Sequence, residues 1–182
     1  MTFKLIVDFE ATCSKDQEDF PREDMEIIEI GAVIFDENWE ERGRYQTFIQ
    51  PAKHKQLTLF CKELTTIQQE NVDLAEPFQV VIPQFQNWVD ETVGRNDYKF
   101  YSWGGFDKNI LKRQCSELNV KGINMIKYHS NIKEGFAKYH RVKPMGVGAA
   151  LKHMRMKFEG TPHRALDDAI NIARLTKTIT WA

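Results

Sequence analysis

No charge of either sign dominates this chain: 25 Lys and Arg face 26 Asp and Glu, a net charge of −1 over 182 residues. That balance argues against holding a polyanion by bulk positive charge. Any nucleic-acid contact has to come from local groups or from bound cations. Cysteine is scarce. Cys13, Cys61 and Cys115 form an odd set without CxxC spacing, which points away from a disulfide framework or a zinc site and toward reduced thiols in a cytoplasmic protein. No apolar run approaches the roughly 20 residues that cross a bilayer, so no membrane partner is expected. No leader is expected either, because the first apolar run starts at Phe3. Repeats, low-complexity tracts and linkers are also missing, so residues 1–182 are expected to form a single domain around one core.

What is present is patterned. Phe3 to Glu10, Glu26 to Phe35 and Arg44 to Ile49 read as strands, separated by an acidic loop (Ala11 to Met25) and a turn at Asp36-Glu37-Asn38. The connections are too short for helical crossovers, so these three strands are expected to run antiparallel. Lys62 to Asn71 and Pro77 to Thr92 carry helical spacing. Pro83 inside the second predicts either a kink or a helix that starts there. Tyr98 to Trp103 reads as a strand, Phe106 to Leu118 as a helix and Asn124 to Tyr128 as a short strand. Helices follow at Ile132 to Tyr139, Gly146 to His153 and Leu166 to Ile179. This order predicts an α/β domain with a mixed central sheet flanked by helices.

The chemistry-bearing residues begin in the first strand. Asp8 and Glu10 lie two apart in the apolar run Phe3-Lys4-Leu5-Ile6-Val7-Asp8-Phe9-Glu10, so they point to one face. Two like charges buried side by side are costly without a positive partner. A hard divalent cation with oxygen ligands is the simplest one. Asp107 at a strand-to-helix junction, His163 after Pro162, and Asp167 and Asp168 at a helix start each also suit an ordinary helix-end or turn role when taken singly. Together, four carboxylates on three segments can converge on one edge of the sheet. His163 and Asp168 are five positions apart, roughly 500° around a helix, so His163 is placed on the loop before the helix.

With DFEAT at 8–12, SWGGFD at 102–107 and HRALDD at 163–168, the chain resembles the DEDDh group of DnaQ-like 3′-5′ exonucleases. Glu26-Ile27-Ile28-Glu29, Leu64-Thr65-Thr66-Ile67-Gln68 and His163 through Arg174 make it most similar to the compact Eri-type exoribonucleases. The chain starts at the first catalytic strand, so a stand-alone member without an added nucleic-acid-binding module is expected. The resemblance covers nearly the whole chain and implies an RNase H-like fold. It also implies metal-dependent hydrolysis of single-stranded RNA 3′ ends to nucleoside 5′-monophosphates, with two divalent ions, Mg²⁺ or Mn²⁺. Single-stranded DNA or short oligonucleotides are the alternative substrates, and a catalytically silent nucleic-acid-binding module is a third reading. The family's His-x4-Asp spacing selects His163 and Asp168 over Asp167. By the same resemblance Asp8 bridges both ions, Glu10 and Asp168 hold the one beside the attacking water, and Asp107 holds the second. His163 takes the water's proton, Ala11 and Thr12 contact the terminal sugar, and Phe106 stacks on the base or serves as a core aromatic.

Overall fold

The computed structural model describes residues 2–179. Five strands, β1 (Thr2–Ala11), β2 (Ile27–Phe35), β3 (Glu41–Phe48), β4 (Asp97–Ser102) and β5 (His129–Asn131), form one sheet in the order β3-β2-β1-β4-β5. β1, β2 and β3 pair antiparallel, as their short connections require. β4 joins β1, and β5 joins β4, in parallel. Each parallel strand is reached through helices: α1 (Leu59–Thr65), α2 (Gln69–Asp73) and α3 (Phe78–Val93) precede β4, and α4 (Phe106–Glu117) precedes β5. α5 (Ile132–His140), α6 (Val147–His153) and α7 (Ala165–Thr176) complete the chain.

Alternation along β1 divides the core in two. Phe3, Leu5, Val7 and Phe9 pack with Val81, Phe85 and Val89 of α3 and with Ile110 and Leu111 of α4. Ile6 faces the other way, toward Phe136 of α5 and toward Ala169, Ile172 and Ala173 of α7. Asp8 and Glu10 share the parity of Ile6, and so sit on the α7 side of the sheet. β2 is buried along its whole length, as expected of a strand covered on both faces.

Two local expectations are corrected, and one alternative of a third is excluded. The helical stretch expected over 62–71 is two short helices, because Thr66 takes a left-handed φ of 61°. The Thr65 hydroxyl donates to the Cys61 carbonyl and accepts from the Ile67 N–H, which closes α1 at that point. Pro83 does not start α3. The helix begins at Phe78 and runs through the proline, and the Gln79 carbonyl left without a helical donor belongs to an exposed residue that water can serve. The strand expected at 124–128 is a 3₁₀ turn over Met125–Tyr128, and strand pairing begins one residue later at His129. No described helix is long and apolar enough to cross a membrane.

Candidate metal centre and catalytic cleft

Backbone contacts bring the acids together. Asp8 lies opposite Gly31 in the β1–β2 ladder, and Gly31 is where α7 meets the sheet. A Cβ at Gly31 would lie 1.9 Å from the Ala165 carbonyl carbon, so only glycine lets the first turn of α7 approach this closely. That turn carries Asp168. One carboxylate oxygen from each of Asp8, Glu10 and Asp168 lies within 4.8 Å of the others. Asp107 arrives from the far side. β4 pairs with β1 only as far as Ile6, and beyond it the Phe9 N–H donates to Asp107 Oδ1 at 3.1 Å.

The electrostatics follow from crowding. Burial, and then the neighbouring Asp107, Glu10 and Asp168 carboxylates, push Asp8 well above the ordinary carboxyl range. Burial, Asp168 and Glu29 push Glu10 up to about 9. Asp107 rises less, to about 6, because bonds from the Phe9 N–H, its own backbone N–H and Ser102 oppose its burial. Asp168 is raised by burial and held down by the His163 N–H, which donates to Asp168 Oδ2 at 2.7 Å. Without a cation the cluster is under repulsion. Its all-oxygen donor set fits a hard divalent cation.

His163 has a φ of 61°, in the region that costs a non-glycine residue energy. Its exposed side chain shares a cleft of about 550 Å³ with Asp8, Glu10, Asp107, Asp168 and Phe106. The structure thus brings together all five acid and histidine positions and Phe106. Ala11 and Thr12 do not line this cleft. The Thr12 hydroxyl, 1% exposed, accepts the Glu26 N–H at 2.8 Å, and the Ala11 carbonyl accepts the Cys61 thiol at 3.7 Å. Asp167 turns to the neighbouring loop, where it accepts the Thr161 N–H at 2.8 Å.

Sequence reasoning missed one pair. Glu29, fully buried in β2, accepts Arg164 Nη2 at 2.9 Å, the Ala165 N–H at 3.1 Å and Gln46 Nε2 at 2.7 Å. It ties the loop carrying His163 to the sheet and occupies the Arg164 guanidinium. The signal was available: an acid inside a fully apolar strand needs a partner, and Arg164 adjoins His163 in the third motif.

Residues 5–176 match the family model RNase_T, described as exonuclease. ERI1 exoribonuclease 2 of Xenopus laevis is 29% identical over 192 residues, covering 95% of this chain and 28% of that protein. 3′-5′ exoribonuclease 1 of Rattus norvegicus is 32% identical over 177 residues, covering 93% and 50%. The chain therefore spans half or less of the length of these two curated relatives. The solved nuclease domain of 3′hExo, described as a DEDDh family member bound to rAMP, superposes with a TM-score of 0.88 at 30% identity over 97% of this chain and 90% of that one.

Proposed function

The chain belongs to the exonuclease family that its residues 5–176 match and has that family's RNase H-like fold, and on this premise we propose that it is a metal-dependent 3′-5′ exonuclease. Its proposed substrate is the 3′ end of single-stranded RNA, which it hydrolyses to nucleoside 5′-monophosphates. The observation that carries the reading is the convergence of Asp8, Glu10, Asp107, Asp168 and His163 on one cleft from three separate stretches of chain. Proteins sharing most of this chain are named as exoribonucleases, which supports RNA as the substrate.

Asp8, Glu10 and Asp168 would hold the cation, with Asp107 beside them, and the oxygen donors suit Mg²⁺ or Mn²⁺. A pair of such ions, when bound, stabilises the attacking and leaving oxygens of an in-line displacement at phosphorus. The remaining steps fall to the chain's own groups. His163 stands at the cleft with its backbone locked to Asp168, so a neutral imidazole there can accept the proton of the attacking water. Asp107 is fixed by the Phe9 N–H, and its carboxylate is near enough to push Asp8 up. Phe106 offers a ring at the cleft wall, and base stacking on such a ring contributes about 1–3 kcal/mol without regard to sequence.

The test is direct. Matched 5′-labelled RNA and DNA single strands are incubated with Mg²⁺ or Mn²⁺ and resolved as ladders, with a circular RNA alongside. The expected result is RNA shortened one nucleotide at a time from its 3′ end, release of 5′-monophosphates and survival of the circle. Circle cleavage at the rate of the linear strand overturns the end-directed reading. Preference for DNA over RNA moves the substrate assignment to single-stranded DNA.

A further inference from the structure

Arg22 places a cation against Phe106, a residue of the acid cleft. Its guanidinium lies over the Phe106 ring, 5.2 Å from the centroid, and among the described residues it has no ion pair. Its backbone is fixed: the Arg22 N–H donates to Gln17 Oε1 at 3.1 Å. The turn it belongs to is clamped to α4, where Arg113 donates to the Met25 carbonyl. Phe106, Ile110 and Arg113 follow one another along one face of α4, beneath this turn.

Three hollows meet at Phe106. One is the acid cleft. The second, about 490 Å³, is largely apolar and is lined by Cys13, Phe20, Met25 and Leu64, with His163 at the boundary it shares with the acid cleft. The third, about 590 Å³, runs along α4 past Asn109 to Arg113, with Glu23 also on its wall. Arg22 lies on the rim common to the second and third and is not among the residues lining the acid cleft. Arg22 thus borders the acid cleft through Phe106 without lining it. An exposed guanidinium on an anionic polymer's path is a phosphate ligand by its chemistry.

We propose that Arg22 forms a subsite for a second phosphate, the one upstream of the phosphate being cleaved, and that the strand leaves the acid cleft across Phe106 toward this arginine. The assignment rests on the exonuclease reading above and adds to it the exit direction and a binding determinant. It also gives a chain of net charge −1 a local cation near the cleft with which to meet a polyanion.

The experiment compares UpU, whose only phosphate is the scissile one, with UpUpU, which has a second. In Arg22→Ala the ratio of kcat/KM for UpUpU to that for UpU should fall about tenfold or more, as expected for loss of a charge-assisted contact, with the change in KM. The dependence of log KM on log salt for UpUpU should flatten by about 0.7. Arg22→Lys, which keeps the charge without the planar ring contact, should recover at least half of the loss. Equal losses on UpU and UpUpU would make Arg22 a prop for Phe106 and overturn the subsite. An Arg22→Lys variant as poor as Arg22→Ala overturns it too. A parent protein that hydrolyses neither these substrates nor long single strands defeats the exonuclease reading instead. In that case equilibrium binding of fluorescent UpUpU still reads Arg22, and equal affinity for parent and Arg22→Ala overturns the proposal.

Discussion

Replacing Glu10 by Gln should make the metal-free protein more stable. In the fold, Glu10 titrates at about 9 against an ordinary value of 4.5. A carboxyl whose folded pKa is raised stabilises the fold fully only below its unfolded pKa. That contribution falls as pH rises toward the folded pKa, because the unfolded chain releases the proton first. Across the window from 4.5 to 9, each pH step costs about 1.4 kcal/mol, so the cost at pH 7 is about 3 kcal/mol. Gln keeps the shape and never ionises. For a domain of this size 3 kcal/mol corresponds to a gain of about 6–12 °C in Tm. The assay is thermal unfolding of parent and Glu10→Gln from pH 5 to pH 8 in chelator, repeated with Mn²⁺. The parent should lose stability steadily with rising pH in chelator and Glu10→Gln should lose less, so the gap between them widens. Mn²⁺ should stabilise the parent more than the variant. A parent whose metal-free stability is flat or rises over that range, or a variant that melts with the parent at pH 7.5, would refute the reasoning that the carboxylates repel in the absence of a cation.

Three further outcomes are expected. His163→Asn should lower kcat by roughly 10²–10⁴ while isothermal titration shows metal binding retained; parallel loss of metal affinity would instead make His163 a ligand. Arg164→Met leaves Glu29 charged and buried without its guanidinium, costing about 3–5 kcal/mol by denaturant titration, and Glu29→Gln added to it should recover most of that loss. Gly31→Ala forces a methyl into the Ala165 backbone, with destabilisation on the order of 3 kcal/mol or more; a Tm within 2 °C of the parent would show that α7 can yield there.

Much of the site was legible because it is written in short local motifs. Asp8 and Glu10 betrayed themselves as acids in an apolar strand, and strand parity put them on one face. Asp107, His163 and Asp168 needed the family pattern, since an acid at a helix start is common on electrostatic grounds alone. The antiparallel opening of the sheet followed from connection length. Less visible were features decided by tertiary contacts. The break at Thr66 depends on a hydroxyl that bonds within its own turn, and the Met125–Tyr128 segment is fixed by burial of Met125 and by Gln86, which accepts the Met125 N–H at 3.2 Å. Apolar content alone made that segment look like a strand. The Glu29–Arg164 pair spans 135 positions: an acid in an apolar strand announces its need for a partner, and the fold decides which cation meets it.

The four acids are held in place by the main chain, not by one another. Their mutual interaction is repulsive, so it cannot supply the order of the site. That order comes from the sheet for Asp8 and Glu10, from the Phe9 N–H for Asp107, from the His163 N–H for Asp168, and from Glu29 gripping Arg164 and the Ala165 N–H behind them. The two raised carboxyls on β1 have only weak geometric duties toward the fold, whereas Glu29 has a strong one. Acid-to-amide changes at Asp8 or Glu10 therefore separate charge from folding: they remove charge from a framework that stands without it. A change at Glu29 or Arg164 instead displaces the framework, and the loss of activity that follows reports on position.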